Sequence, residues 1–198
     1  MKQILLIVMM GVGLIAHSQF NKKKPFNIGK VIYHAKWQTT QDVTYDGSYR
    51  IINYPNGDVP ENIGVCTDVI IRAYRNAGVD LQEFIHHTVK AHPEYYYPYK
   101  FKKGTAKADP NIDHRRVKIL KKAFKMHFQN SKISLKKNWR PGDIVFFGEW
   151  HIGILIDEKV EGTDRYYCVH NIGAGPVMED VYYDDIYDTS FEAYRIRF

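Results

Sequence analysis

The sequence holds only two cysteines, Cys66 and Cys168, which excludes a disulfide-stapled scaffold. With 198 residues it needs none, because a chain of that length can bury a core of its own. It lacks an apolar run of the roughly 20 residues that a comfortable membrane span requires. Internal repeats and low-complexity linkers are missing too, which excludes solenoids and tethered modules. Lysine and arginine are not interleaved with aromatics in the pattern of a nucleic-acid domain, so that class of partner is set aside. Nor do Cys, His, Asp and Glu cluster at ligand spacing. The adjacent His86 and His87 point in different directions on a helix, so no metal site is expected.

What is present begins at the first residues. Lys2, the apolar stretch Ile4–Ala16 and the small residues Ala16 and Ser18 have the layout of a secretory signal peptide over residues 1–19. An uncleaved anchor is the alternative. Removal of the signal leaves residues 20–198 as one domain, exported to a periplasm or the exterior and without an integral span. In an oxidising compartment Cys66 and Cys168 could pair, so one structural disulfide is a reading to weigh. The net charge of +6 suits an anionic surface such as a cell-wall polymer or acidic lipid.

The chain changes character along its length. Turn signals at Asp46-Gly47 and Asn56-Gly57 make the N-terminal third read as loop with short extended pieces. Helix is expected from Cys66, where Val69, Ile70, Ala73 and Ala77 recur at helical spacing and Gly78 stops the run. "LQEFIHHTVKAH" predicts a second helix ending before Pro93, and "NIDHRRVKILKKAFKMHFQ" a third, with Asp113 near its start as a cap. "PEYYYPYKF" reads as a strap held to the core by its rings, or as an aromatic wall for a ligand. The C-terminal third turns to short β-branched and aromatic runs: "DIVFFG", "HIGILIDE", "RYYCVHNI" and "EAYRIRF". Helices followed by sequential strands predict an α+β domain with helices packed on an antiparallel sheet.

Cysteine at a helix start is where the macrodipole and free N–H groups favour a thiolate. A nucleophile there needs a base and a group that orients the base. His151 opens one strand and His170 closes the next, so in a hairpin the two meet at one edge of the sheet. Strand alternation puts His170 on one face with Tyr166 and Cys168, and Asn171 on the other. A buried, inert Cys66 is the plain alternative, and Cys168 reads as packing.

The order of a helix-start cysteine, a "GDIVFF" strand, "HIGI" and "VH" resembles the NlpC/P60 papain-like peptidases. That resemblance implies a papain-like fold with Cys66 as nucleophile, His151 as base and His170 as the residue orienting it. It also implies a site tyrosine some dozen residues before the cysteine, a place Tyr54 occupies. The chain reads Val-Cys-Thr-Asp where that group usually has Asp-Cys-Ser-Gly. A closer resemblance covers most of the mature chain. "YPNGDVPENIGVCTDVIIRAYRNAGVDLQ", "DPNIDHRR", "RPGDIVFF", "HIGILID" and "VHNIGAGPVMEDV" are similar to the bacterial domain of unknown function numbered 1287.

In "DPNIDHRR", Asp113, His114, Arg115 and Arg116 are either a capped, solvated helix start or a substrate contact, with one arginine gripping a carboxylate. Asn171 and the glycines after it form a tight loop that would let a substrate approach the backbone. The expectation is a cofactor-free cysteine hydrolase cleaving an amide in a cell-wall peptide. Its rivals are an idle envelope-binding module of the same fold, or an acyltransferase or amidase acting on another polymer or lipid.

Overall fold

The computed structural model describes residues 25–182 and 190–198; the expected signal peptide over residues 1–19 lies outside them. Helix α1 (Ile28–Gln38) opens the fold, with Asn27 accepting a hydrogen bond from the Gly29 N–H at its start. It occupies a stretch expected as loop, yet its signal was present: Val31, Ile32 and Ala35 form the buried stripe. A short parallel ribbon follows, β1 (Thr44–Tyr45) beside β2 (Ile63–Gly64). Helix α2 (Cys66–Asn76) leaves that ribbon directly and buries Val69, Ile70, Ala73 and Tyr74. Gln38 ties the two helices by donating to the Val69 carbonyl at 2.9 Å.

Asp80 caps α3 (Leu81–Ala91) by accepting from the Gln82 and Glu83 N–H groups, and that helix ends before Pro93 as expected. The aromatic strap folds into two single turns, α4 (Pro93–Tyr96) and α5 (Pro98–Lys102), with Tyr96 buried. The third helix expected from the sequence, α6 (Val117–His127), starts later than the sequence suggests. Asp113–Arg115 is a separate 3-10 turn and Arg116 takes the capping position. Asp113 fails as a helix cap because its carboxylate folds back to accept from the Asp109 N–H and the Tyr97 hydroxyl.

Among the described residues six strands make one antiparallel sheet: β3 (Lys132–Ile133), β4 (Ile144–Phe147), β5 (His151–Lys159), β6 (Tyr166–Asn171), β7 (Pro176–Glu179) and β8 (Phe191–Tyr194). Their spatial order is β3-β8-β4-β5-β6-β7. The fold is therefore α+β, as the order of elements predicts. Alternation splits the sheet cleanly. Ile144, Phe146, Ile152, Ile154, Ile156 and Val169 join the core shared with the helices. Val145, Phe147, Leu155 and Cys168 form a second core with Trp139 and Ala193. The turn into β4 is fixed by Gly142, at φ 85°, where a Cβ would lie 2.4 Å from the Ile28 side chain. Among the described residues no helix is long and apolar enough to cross a membrane.

Candidate functional site

Cys66 is the first residue of α2 and is almost fully buried. Its sulfur faces the backbone N–H of Ile152, one residue along β5 from His151, together with the N–H groups of Thr67 and Cys66 itself. Those donors and the helix terminus favour a thiolate, but loss of water outweighs them and pushes the thiol up to about 11. The expectation of a lowered thiol pKa is thus reversed, because burial dominates the dipole.

The β5–β6 hairpin does what strand order predicts. Gly153 pairs with His170, and the His151 and His170 rings lie 5.0 Å apart. His151 Nε2 meets His170 Nδ1 at 3.1 Å, with both side chains buried. Beyond them, His170 Nε2 lies 3.2 Å from a carboxylate oxygen of Glu179 on β7. This line of atoms fixes the protons. A carboxylate only accepts, so His170 donates from Nε2, and in the neutral pair its Nδ1 must accept from His151 Nε2. His151 therefore carries its lone pair on Nδ1, the nitrogen suited to receive a proton. Burial, and then the neighbouring His170, lower His151 to about 3, so it rests as neutral imidazole. The spacing is tight: a Cβ on Gly153 would come within 2.4 Å of the Cys168 sulfur and 3.2 Å of His170 Cβ.

Cys66 opens onto a cleft of about 340 Å³ whose walls include Tyr45, Val65, Arg116, Val117 and Trp150. The Trp150 ring stacks on His151 at 5.4 Å and forms part of this rim. Tyr45, paired with Gly64 across the ribbon, supplies the tyrosine beside the cysteine, and its hydroxyl is raised by burial and then by Cys66. Tyr54 does not take that place. It packs on His86 at 4.9 Å, with its hydroxyl 3.4 Å from His87 Nε2, so counting residues back from the cysteine picked the wrong ring.

The "DPNIDHRR" residues divide. Arg115 makes a two-pronged ion pair with Asp68, at 3.0 and 2.9 Å, both side chains being buried. It also donates to the Asp46 and Ser48 carbonyls, and its own carbonyl accepts from the Thr67 hydroxyl at 3.0 Å. Asp68 in turn accepts from the Val65 N–H at 2.7 Å and so caps the helix that carries Cys66. The Thr-Asp pair that departs from the NlpC/P60 pattern is thus the partner of this arginine. Asp113 and His114 are buried and structural; burial and nearby arginines lower His114 to about 4. Arg116 alone is exposed on the cleft, and it makes no ion pair among the described residues. Asn171 is fully buried and bridges from the Gly173 N–H to the Gly64 carbonyl, which steadies the approach to Cys66.

Cys66 and Cys168 are both free thiols, on opposite cores, so the disulfide reading is not what this fold holds. No group of three or more potential ligands that could hold a metal occurs among the described residues. Sequence reasoning missed Tyr45, Asp68 and Glu179. Only Asp68, third into a helix after a bare N-cap, left a readable signal.

The family model described as Domain of unknown function (DUF1287) matches residues 32–194, so the chain belongs to that family. It is also 40% identical over 157 residues to the Escherichia coli (strain K12) protein called "Uncharacterized protein YijF", covering 76% of this chain and 74% of that one. No solved structure matches the chain.

Proposed function

We propose that this member of the family is an exported cysteine hydrolase of papain-like, NlpC/P60-type design, cleaving an amide bond in cell-wall stem peptides. The observation that carries the reading is the line from Glu179 through His170 to His151, ending one residue from the backbone N–H that meets the Cys66 sulfur. Cys66 attacks the carbonyl carbon as its proton passes to His151 Nδ1. His151 then gives that proton to the leaving amine, and water releases the acyl group from sulfur by the reverse route. With a neutral thiol and a neutral imidazole at rest, proton transfer accompanies attack instead of preceding it. His170 holds the proton on His151 Nε2 and, with Glu179 behind it, steadies the transient imidazolium. Backbone N–H groups at the start of α2, helped by Tyr45, would hold the oxyanion. Arg116, which lines the cleft, would grip a carboxylate on the substrate.

The substrate class rests on the export signal read from the sequence, on the basic charge and on the NlpC/P60 resemblance. Digestion of purified peptidoglycan, with soluble products read by mass spectrometry, tests it. The native protein should release peptide fragments bearing new termini and its Cys66→Ala variant none. Equal release by both would overturn the nucleophile, and silence from both would overturn the substrate.

A further inference from the structure

A cavity of about 500 Å³ lies away from Cys66. Asp42, Val43 and Asn62 line it, whereas Tyr45, Val65 and Cys66 line the catalytic cleft. Because β1 and β2 run parallel, the cavity sits at the ribbon's N-terminal end and the cleft at its C-terminal end. At about 3.3 Å per residue the two are roughly 10 Å apart along the chain. The remaining walls come from α1, α2 and the segment before β2.

Three features say what this cavity would hold. The first is the indole of Trp37, 44% exposed and with the His34 ring 5.1 Å away, which offers a flat apolar platform at the rim. The second is a pair of buried polar atoms in the lining, His34 Nδ1 and Arg75 Nε, that find no hydrogen-bond partner among the described residues. Buried groups left that way cost free energy until something supplies a partner, and the residues that carry them line a space large enough for a ligand. The third is charge. Arg72 and Arg75 both pair with Asp58, at 3.0 and 2.6 Å, and Arg72 is further tied to backbone carbonyls, so neither is available as an anion clamp. The lining then has three carboxylates (Asp42, Asp58 and Glu61) against two guanidiniums, near balance and hostile to anions. Side-chain amides of Gln41, Asn62 and Asn76 complete the wall with both donors and acceptors.

We propose that this cavity binds a neutral oligosaccharide bearing hydroxyl and amide groups, stacked on Trp37 and hydrogen-bonded by His34, Arg75 and the amide side chains. An apolar ring face, polar edges that both give and take hydrogen bonds, and no net charge are what the lining complements. Burial and the two arginines lower His34, which keeps it neutral and able to act as acceptor as well as donor. The inference does not depend on the hydrolase reading, since the site shares no residue with the cleft.

Calorimetric titration of the purified Cys66→Ala protein with an N-acetylglucosamine tetramer tests it without hydrolysis intervening. Binding should be saturable, at least tenfold weaker in a Trp37→Ala background and unchanged in a Trp150→Ala background. Trp37 is a surface residue, so its removal should leave the unfolding midpoint in place. Three results would overturn the proposal: no binding; loss of binding on Trp150→Ala with none on Trp37→Ala, which would put the sugar in the cleft; or tighter binding of the cationic glucosamine tetramer, which would make the cavity an amine site.

Discussion

At Cys66 two influences oppose each other: three backbone N–H groups and a helix terminus favour the thiolate, and burial favours the thiol. Burial prevails, with a consequence for reactivity. Below a thiol pKa of about 11 the thiolate fraction grows tenfold for each pH unit, so iodoacetamide labelling of Cys66 should rise steeply from neutral to mildly alkaline pH. A labelling rate that levels off near pH 7 would show a preformed thiolate. Cys168, fully buried in the second core, should be labelled only when the protein unfolds. One strand further, Glu179 meets His170 at 3.2 Å and, on the proposed reading, would position it. Glu179→Gln should lower turnover by about 10- to 100-fold, a part of the roughly 10²–10⁴-fold that a positioned base contributes. The carboxylate favours the protonated histidine pair, so its loss should also move the acidic limb of the pH–rate profile to lower pH. A fall in rate with no movement of that limb would mean Glu179 only holds the strand.

The elements are arranged by pairs of residues that the sequence separates widely. Asp68 at the start of α2 and Arg115 in the turn before α6 are 47 positions apart, yet they form one buried ion pair. Removing one partner strands the other charge, so Arg115→Ala should destabilise the fold by about 3–5 kcal/mol in denaturant unfolding. The adjacent Arg116→Ala should cost under about 0.5 kcal/mol, as an exposed residue with no ion pair among the described residues. It should instead raise KM for carboxylate-bearing peptides with kcat little changed. The opposite assignment would return Arg115 to the substrate. This is where the sequence was least legible. Periodicity located α2, α3 and the β4–β5–β6 run because each is set by neighbours along the chain. It also brought His151 and His170 together, since a hairpin is local. Which of the two adjacent arginines lining the cleft is exposed there, and which tyrosine flanks the cysteine, depend on contacts between distant segments. Tyr45 reaches Cys66 through a two-residue parallel ribbon that carries almost no periodic signal. Glu179 lies on a four-residue strand after a glycine loop, where pattern gives way to register.

For the whole molecule, two buried neutral histidines couple stability to pH. His114 is lowered to about 4 and His151 to about 3 in the folded protein, against ordinary values near 6.5. Below pH 6.5 the unfolded chain binds protons that the folded one refuses. Stability should therefore be full above that value and fall progressively down to about pH 3–4, by about 1.4 kcal/mol for each unit of separation. His114→Gln should flatten the upper part of that slope, whereas an unchanged slope would mean that other groups govern acid unfolding. On the proposed reading, the same burial that keeps His151 neutral would make it a base only when a substrate brings the thiol proton into play. On the proposed route Cys66 becomes acylated during turnover. Acid-quenched mixing with soluble cell-wall peptide, followed by intact-mass and peptide mapping, tests it directly. A thioester on Cys66 should accumulate in early turnovers and be abolished in Cys66→Ala and His151→Ala. Product formation that persists in Cys66→Ala, or an acyl group found elsewhere on the chain, would contradict it.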